Sequence, residues 1–269
     1  MGRLKKEIVL YKMGIEYFKQ GNLNGALDSF GKATERNPRF SKAWIYKGLI
    51  YYNLGNYDDS IFCYDRAIEI NSRNSWTWTN KGQSLIKLNR FEEALESANI
   101  AIEKASRNAD AWGIKGDCLY ALKKYDDAIE CYENAIEINP RNIWNWIGSG
   151  EALIIIGKAS DAIARFDNAI NIEPESPEAW FNKGKALFHQ GELVKSLDCI
   201  NMAIEYDPKD GASWYLKGSI LSSAGNNDDA KSCYDKAKEL NFEPSDEANE
   251  IAQKTQMTDH ERAIPQIIK

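Results

Sequence analysis

Two histidines, five cysteines, three Asp-Asp pairs and a spaced set of lysines are the residues of this chain whose chemistry could carry an activity. His189 and His260 stand in no metal-ligand spacing, and no Gly-rich phosphate loop follows a strand pattern. Asp58-Asp59, Asp126-Asp127 and Asp228-Asp229 look like acid–base pairs, but each opens a helical pattern at the same place. There a carboxylate favours the helix dipole, and no reaction is needed to explain it. Cys63, Cys131, Cys199 and Cys233 share one register and Cys118 lies outside it. Even Cys199 and Cys233 are expected about 8–10 Å apart on neighbouring helices, beyond the roughly 7 Å Cα limit for a disulfide. They read as small core residues of a reducing compartment. The expectation is a chain that is not an enzyme, with no catalytic residue, no metal and no cofactor.

Composition narrows the partners. The 269 residues are 43% hydrophobic and 28% charged, enough for a sizeable core. A formal charge of −6 argues against nucleic acid, whose phosphates require clustered Lys and Arg without a matching acidic excess. The N-terminal stretch MGRLKKEIVLYKMGIEYF is charged throughout, and apolar runs such as ALIII are far short of a bilayer span. A cytoplasmic location without membrane attachment is expected.

The elements that position these residues emerge when the chain is aligned with itself. Trp44, Trp78, Trp112, Trp146, Trp180 and Trp214 lie 34 residues apart, with Leu10 one period earlier. Four residues after each anchor stands a Gly, from Gly14 to Gly218, and small residues hold two later registers (Ala26 to Ala230 and Ala33 to Ala237). Each period carries two apolar stripes of helical spacing, for example Trp112, Gly116 and Leu119, then Ala128, Tyr132 and Ala135. The turn between them often holds Gly, at Gly21, Gly55, Gly157, Gly191 and Gly225, and six of seven prolines fall at or near unit junctions. Ser176-Pro177-Glu178 reads as N-cap, first-turn Pro and dipole-favoured acid. Gly facing Ala or Ser lets two backbones approach, and stacking buries what one unit cannot, giving a superhelix with a concave and a convex face.

The pattern W-x2-K-G-x2-[YL], then Ala, then Phe or Tyr, then Ala, with a late Pro, resembles the tetratricopeptide repeat, a 34-residue helix-turn-helix. The resemblance covers seven repeats, 7–40, 41–74, 75–108, 109–142, 143–176, 177–210 and 211–244. It implies an all-α, right-handed α-solenoid whose first helices line a peptide-binding groove, and a non-catalytic scaffold for protein binding. The alternative is a regulatory or substrate-recruiting subunit of an enzyme complex. Lys47, Lys81, Lys115, Lys183 and Lys217 stand where the family usually has Leu, and Ser72, Ser106 and Phe242 replace the late Pro. We read the lysines as part of the fold, with stems along the helix pair and ammonium groups reaching water.

The resemblance also places the groove-facing positions, two before and one, two, five, eight and nine after each anchor. The first two repeats supply Tyr11, Ile15, Phe18, Ile45, Leu49 and Tyr52, and Trp76 and Trp144 stand two before their anchors. Asp110, Asp117, Glu151 and Glu178 make the middle acidic, with Phe181 beside them and Lys185 as the exception. A protein or peptide with apolar and basic residues is therefore expected. The Lys and Asn of the chaperone-tail carboxylate clamp are missing: Tyr11, Ile45, Thr79, Gly113, Ile147, Phe181 and Tyr215 follow the anchors directly, and no Asn stands five after them. Residues 245–256 read as a capping helix. The tail 257–269 carries Arg262, Ile264, Pro265, Ile267 and Ile268, a composition that the groove should accept, and so offers a self-ligand in its own or a second molecule.

Overall fold

The computed structural model describes residues 5–244, all helical or in short connections, with no strand among them. The described chain divides into two compact units that meet in sequence at Pro140 and Arg141. The first unit holds α1 (Lys6–Lys19), α2 (Leu23–Arg36), α3 (Ser41–Asn53), α4 (Tyr57–Ile70), α5 (Ser75–Lys87), α6 (Phe91–Lys104), α7 (Ala109–Ala121) and α8 (Tyr125–Ile138). The second holds α9 (Ile143–Ile155), α10 (Ala159–Ile172), α11 (Pro177–His189), α12 (Leu193–Tyr206), α13 (Gly211–Ser223) and α14 (Asn227–Glu239).

Local chemistry starts and stops these helices. Asn74, Asn108, Asn142, Ser176 and Asp210 cap first helices, each side chain accepting a backbone N–H that the helix leaves unpaired. The turn inside a repeat needs a left-handed residue. Gly55 supplies it at φ 77°, and Asn56 N–H then reaches back to Tyr51 O at 2.9 Å. Asn89 and Lys123 take the same place at φ 57° and 60°, which is costlier for a residue with a Cβ.

Within a repeat, the two helices meet over the anchor-plus-four Gly. A Cβ built on Gly116 would stand 2.6 Å from the Tyr132 ring, and one on Gly48 would stand 2.7 Å from the Tyr64 ring. In these two repeats the glycine leaves room for an aromatic ring that lies on the backbone. Where Ser replaces the small residue of the second helix, its hydroxyl donates to the carbonyl of that Gly, Ser60 to Gly48 at 2.8 Å and Ser196 to Gly184 at 2.7 Å.

Between repeats of a unit, each second helix packs on the next first helix, α2 on α3, α4 on α5 and α6 on α7, then α10 on α11 and α12 on α13. First helices also touch one another, α3 with α5 and α5 with α7, and α9 with α11 and α11 with α13. No two second helices of the described residues are in comparable contact, so in each unit the first helices line the inner side of the stack.

Candidate functional site: the inner face of the first helices

The anchor tryptophans set the pitch on which the candidate groove rests. Trp44, Trp78, Trp112, Trp180 and Trp214 each donate the indole N–H to the carbonyl six residues earlier, at 3.0, 2.9, 3.0, 2.8 and 3.0 Å. The acceptors are Pro38, Ser72, Ser106, Pro174 and Pro208, so the connection between repeats uses a backbone oxygen and tolerates Ser in place of Pro.

The lysine set belongs to the same joint, though not as expected. The ammonium groups of Lys47, Lys81, Lys115, Lys183 and Lys217 do not simply reach water. They lie over the tryptophan three residues earlier, 4.5, 5.7, 5.3, 5.6 and 5.4 Å from the ring centroid. Lys81 and Lys183 also pair with Asp65 and Asp167 of the preceding second helix, each at 2.6 Å. In the fifth repeat Ser149 replaces the lysine, and Arg165 of α10 covers Trp146 at 5.6 Å. The cation is kept while its origin changes.

The expected groove residues divide by depth. Ile45 is buried against Tyr64 and Ala67, and offers a ligand little surface. Tyr11 and Phe18 are half-buried in an aromatic cluster, with ring centroids 5.8 and 5.9 Å from Tyr46. Desolvation pushes the Tyr11 hydroxyl up to about 12, with Tyr46 adding to it. Ile15, Leu49 and Tyr52 are half-buried and follow one another along α1 and α3. Trp76 is 43% exposed on α5, and Asp110 and Asp117 are exposed on α7. These are the expected groove residues of the first unit.

In the second unit Trp144 is 59% exposed, while Glu151 and Phe181 are half-buried. Phe181 packs against the cluster of Phe188, Ile200, Leu216 and Ile220. Glu178 is exposed and accepts from the Ser176 hydroxyl at 3.2 Å. The capping helix and the tail residues Arg262, Ile264, Pro265, Ile267 and Ile268 lie outside the described residues.

Asp117 has the most developed surroundings in the row. Its Oδ1 accepts from the Tyr132 hydroxyl at 2.8 Å. The residue is exposed to water, although the protein around it takes part of the carboxylate's hydration. Desolvation pushes its titration above the ordinary 3.8, and the Tyr132 hydrogen bond and the Lys87 ammonium offset this in part. The pair is not a requirement of the fold. Phe30, Phe166 and Ile200 fill the ring position without a hydroxyl, opposite Ile15, Glu151 and Lys185. The sequence singled out Asp117 as an expected groove residue and gave Tyr132 no part in it. The available signal was a spacing of 15 residues, which recurs between Ser219 and Tyr234 at 3.4 Å.

All five cysteines are buried and free, and desolvation pushes Cys63 and Cys118 up to about 12, which suppresses the reactive thiolate. No group of three or more His, Cys, Asp or Glu is placed to hold a metal among the described residues. A cleft of about 530 Å³ opens between α10, α11 and α12, but most of its charges are paired, Lys183 with Asp167 and Lys195 with Glu192. No helix of the described residues is long and apolar enough to cross a membrane.

Helix pairs stacked in this way define an all-α solenoid. Tetratricopeptide repeat models match residues 9–40, 41–74, 63–96, 109–142, 155–220 and 211–244, and the chain belongs to that family. No functionally curated protein matches it. Among solved structures, a tetratricopeptide repeat protein from Parabacteroides merdae is 16% identical, covers 93% of this chain and 99% of its own, and superposes with a TM-score of 0.72. Pseudomonas aeruginosa pilF is 20% identical over 81% of this chain and 97% of its own, with a TM-score of 0.68. YrrB, described as a repeat protein with an unusual peptide-binding site, is 23% identical over 72% and 97%, with a TM-score of 0.54. At these identities the likeness is one of fold.

Proposed function

We propose that the chain is a non-catalytic scaffold whose inner face takes an extended segment of another protein, one that carries apolar anchors and a Lys or Arg. The observation that carries this reading is the row along the first unit. It runs from the half-buried Ile15, Phe18, Leu49 and Tyr52 to the exposed Trp76, Asp110 and Asp117. Aromatic and aliphatic surface rimmed by charge is the usual composition of a binding patch. A carboxylate already stripped of part of its hydration gains more from an incoming cation than one fully in water. Leu49 and Asp117 stand two repeats apart, about 16–20 Å at roughly 8–10 Å per helix. An extended chain spans that in about five or six residues at about 3.3 Å each. The described peptide site of YrrB supports peptide recognition by this fold in general.

Random peptides of about twelve residues, displayed on phage and panned against the full chain, test the reading. Enriched sequences should place Lys or Arg about five or six positions from a Leu, Ile or aromatic residue. Panning against Asp117→Lys should lose the basic residue. Enrichment that survives both Leu49→Glu and Asp117→Lys would place binding elsewhere and overturn the reading.

A further inference from the structure

In the later repeats, the residue just before the anchor is buried beneath the preceding second helix. Ala43, Thr77 and Ala111 are so placed in the first unit, and Ala179 and Ser213 in the second. The same face of α1 is different. No second helix precedes it among the described residues, and Val9 and Met13 are 42% and 45% exposed. Met13 stands where later repeats carry a lysine over a tryptophan, so this face is more apolar than its counterparts. The outer face of α14 is the reverse. Lys231 and Lys238 are exposed where α4 has Ile61 and Ile68 and α10 has Ile163 and Ile170.

Lys6, Val9, Met13 and Glu16 are spaced 3, 4 and 3 residues apart and therefore form one stripe of α1. The stripe is self-complementary when reversed. The numbers 9 and 13 add to 22, as do 6 and 16, so one two-fold axis beside residue 11 satisfies both pairs. We propose that α1 docks antiparallel on α1 of a second copy of this chain. Val9 then packs against the partner's Met13, and Lys6 pairs with the partner's Glu16, each contact made twice as a two-fold interface requires. Lys6 and Glu16 are both exposed, and the Glu16 carboxylate accepts from the Gln20 side-chain amide at 3.3 Å. Head-to-tail stacking of α14 on this face is disfavoured, because it would press Lys231 and Lys238 against Val9 and Met13 and desolvate their ammonium groups. A patch of one helix is small, so the dimer is weak and dissociates on dilution.

Sedimentation velocity on the full chain, from about 10 μM to about 500 μM, tests this independently of the groove reading. The wild-type protein should move from monomer towards dimer across that range. Met13→Lys should stay monomeric with an unchanged circular dichroism spectrum, since lysine occupies this place in five other repeats. Lys6→Glu and Glu16→Lys should each weaken the dimer about tenfold, and the two together should restore it. Three results would overturn the proposal: a wild-type monomer at every concentration, a dimer indifferent to Met13→Lys, or a charge exchange that does not recover association. A dimer that instead disappears on deletion of residues 257–269 would assign association to the tail.

Discussion

At the scale of single residues, the glycine under the aromatic ring makes the packing account testable. Gly116 has the Tyr132 ring where a Cβ would go, at 2.6 Å, whereas the nearest atoms at Gly82 are Ile114 Cγ2 at 3.2 Å, Ala94 O at 3.5 Å and Ser97 Cβ at 3.8 Å, because Ala98 replaces the ring there. Gly116→Ala should therefore cost about 1–3 kcal/mol through overpacking. Gly82→Ala should be near neutral or gain up to about 1 kcal/mol, because Ala loses less backbone freedom in a helix. Urea denaturation of both variants checks this, and equal destabilisation would remove the ring-on-glycine explanation. Asp117 makes a second prediction. Its folded carboxyl titrates above the ordinary 3.8, so the proton is held more tightly in the folded state and the stability associated with it is lost as pH rises. Asp117→Asn should accordingly be more stable than wild type at neutral pH. That advantage should fade as the pH falls below the ordinary carboxylate range, and melting curves across pH would show it. A constant difference would assign the effect to something other than the charge.

Helices and their joints come next in scale. The anchor tryptophan fills the space between helices, donates to the connection before it and carries a cation on its outer face. Trp112→Ala should cost about 3–5 kcal/mol, in the range of large aromatic truncations. Lys115→Met removes only the cation above the ring, worth about 0.5–1 kcal/mol at an exposed site, and replaces it with a thioether that also favours aromatic contact. Hydrogen exchange should show α7 and its neighbours losing protection in the first variant and hardly at all in the second. A Lys115→Met protein that unfolds would mean that the lysine does more than cover the tryptophan. The sequence was readable at this scale because Trp, Gly and the two small-residue registers recur at one fixed period. Ser176-Pro177 was legible as a cap, and Ser176 indeed accepts from Ala179 N–H at 3.2 Å. The lysine contact was less legible. A spacing of three puts Lys and Trp on one helix face, but it does not say whether the long stem turns towards the ring or towards solvent.

For the molecule as a whole, the 34-residue period proved a sound guide to fold class, since the Gly and small-residue positions that it marks are the ones at which the two helices of a repeat pack. It gave no hint of the division at Pro140 and Arg141, because the spacing of the tryptophans passes through that point without a slip. The proposed groove was legible only as a set of repeat positions. Position within the repeat assigned Leu49, Trp76 and Asp117 to the expected groove, but it did not separate Ile45, which the Tyr64 ring and Ala67 bury, from its more accessible neighbours. Nor could it show the Tyr132 hydroxyl that holds Asp117, a contact made by residues 15 apart on two helices.

The proposal that Asp117 reads a cation beside an apolar anchor is tested most directly by a double-mutant cycle. One enriched peptide, and the same peptide with its Arg or Lys changed to Gln, would be measured by fluorescence anisotropy against the full wild-type chain and against Asp117→Asn. Each single change should weaken binding about tenfold or more, and the two together should be little worse than either alone, a coupling of about 1.4 kcal/mol. Strictly additive losses would contradict the account, because the basic residue would then be recognised somewhere other than at Asp117.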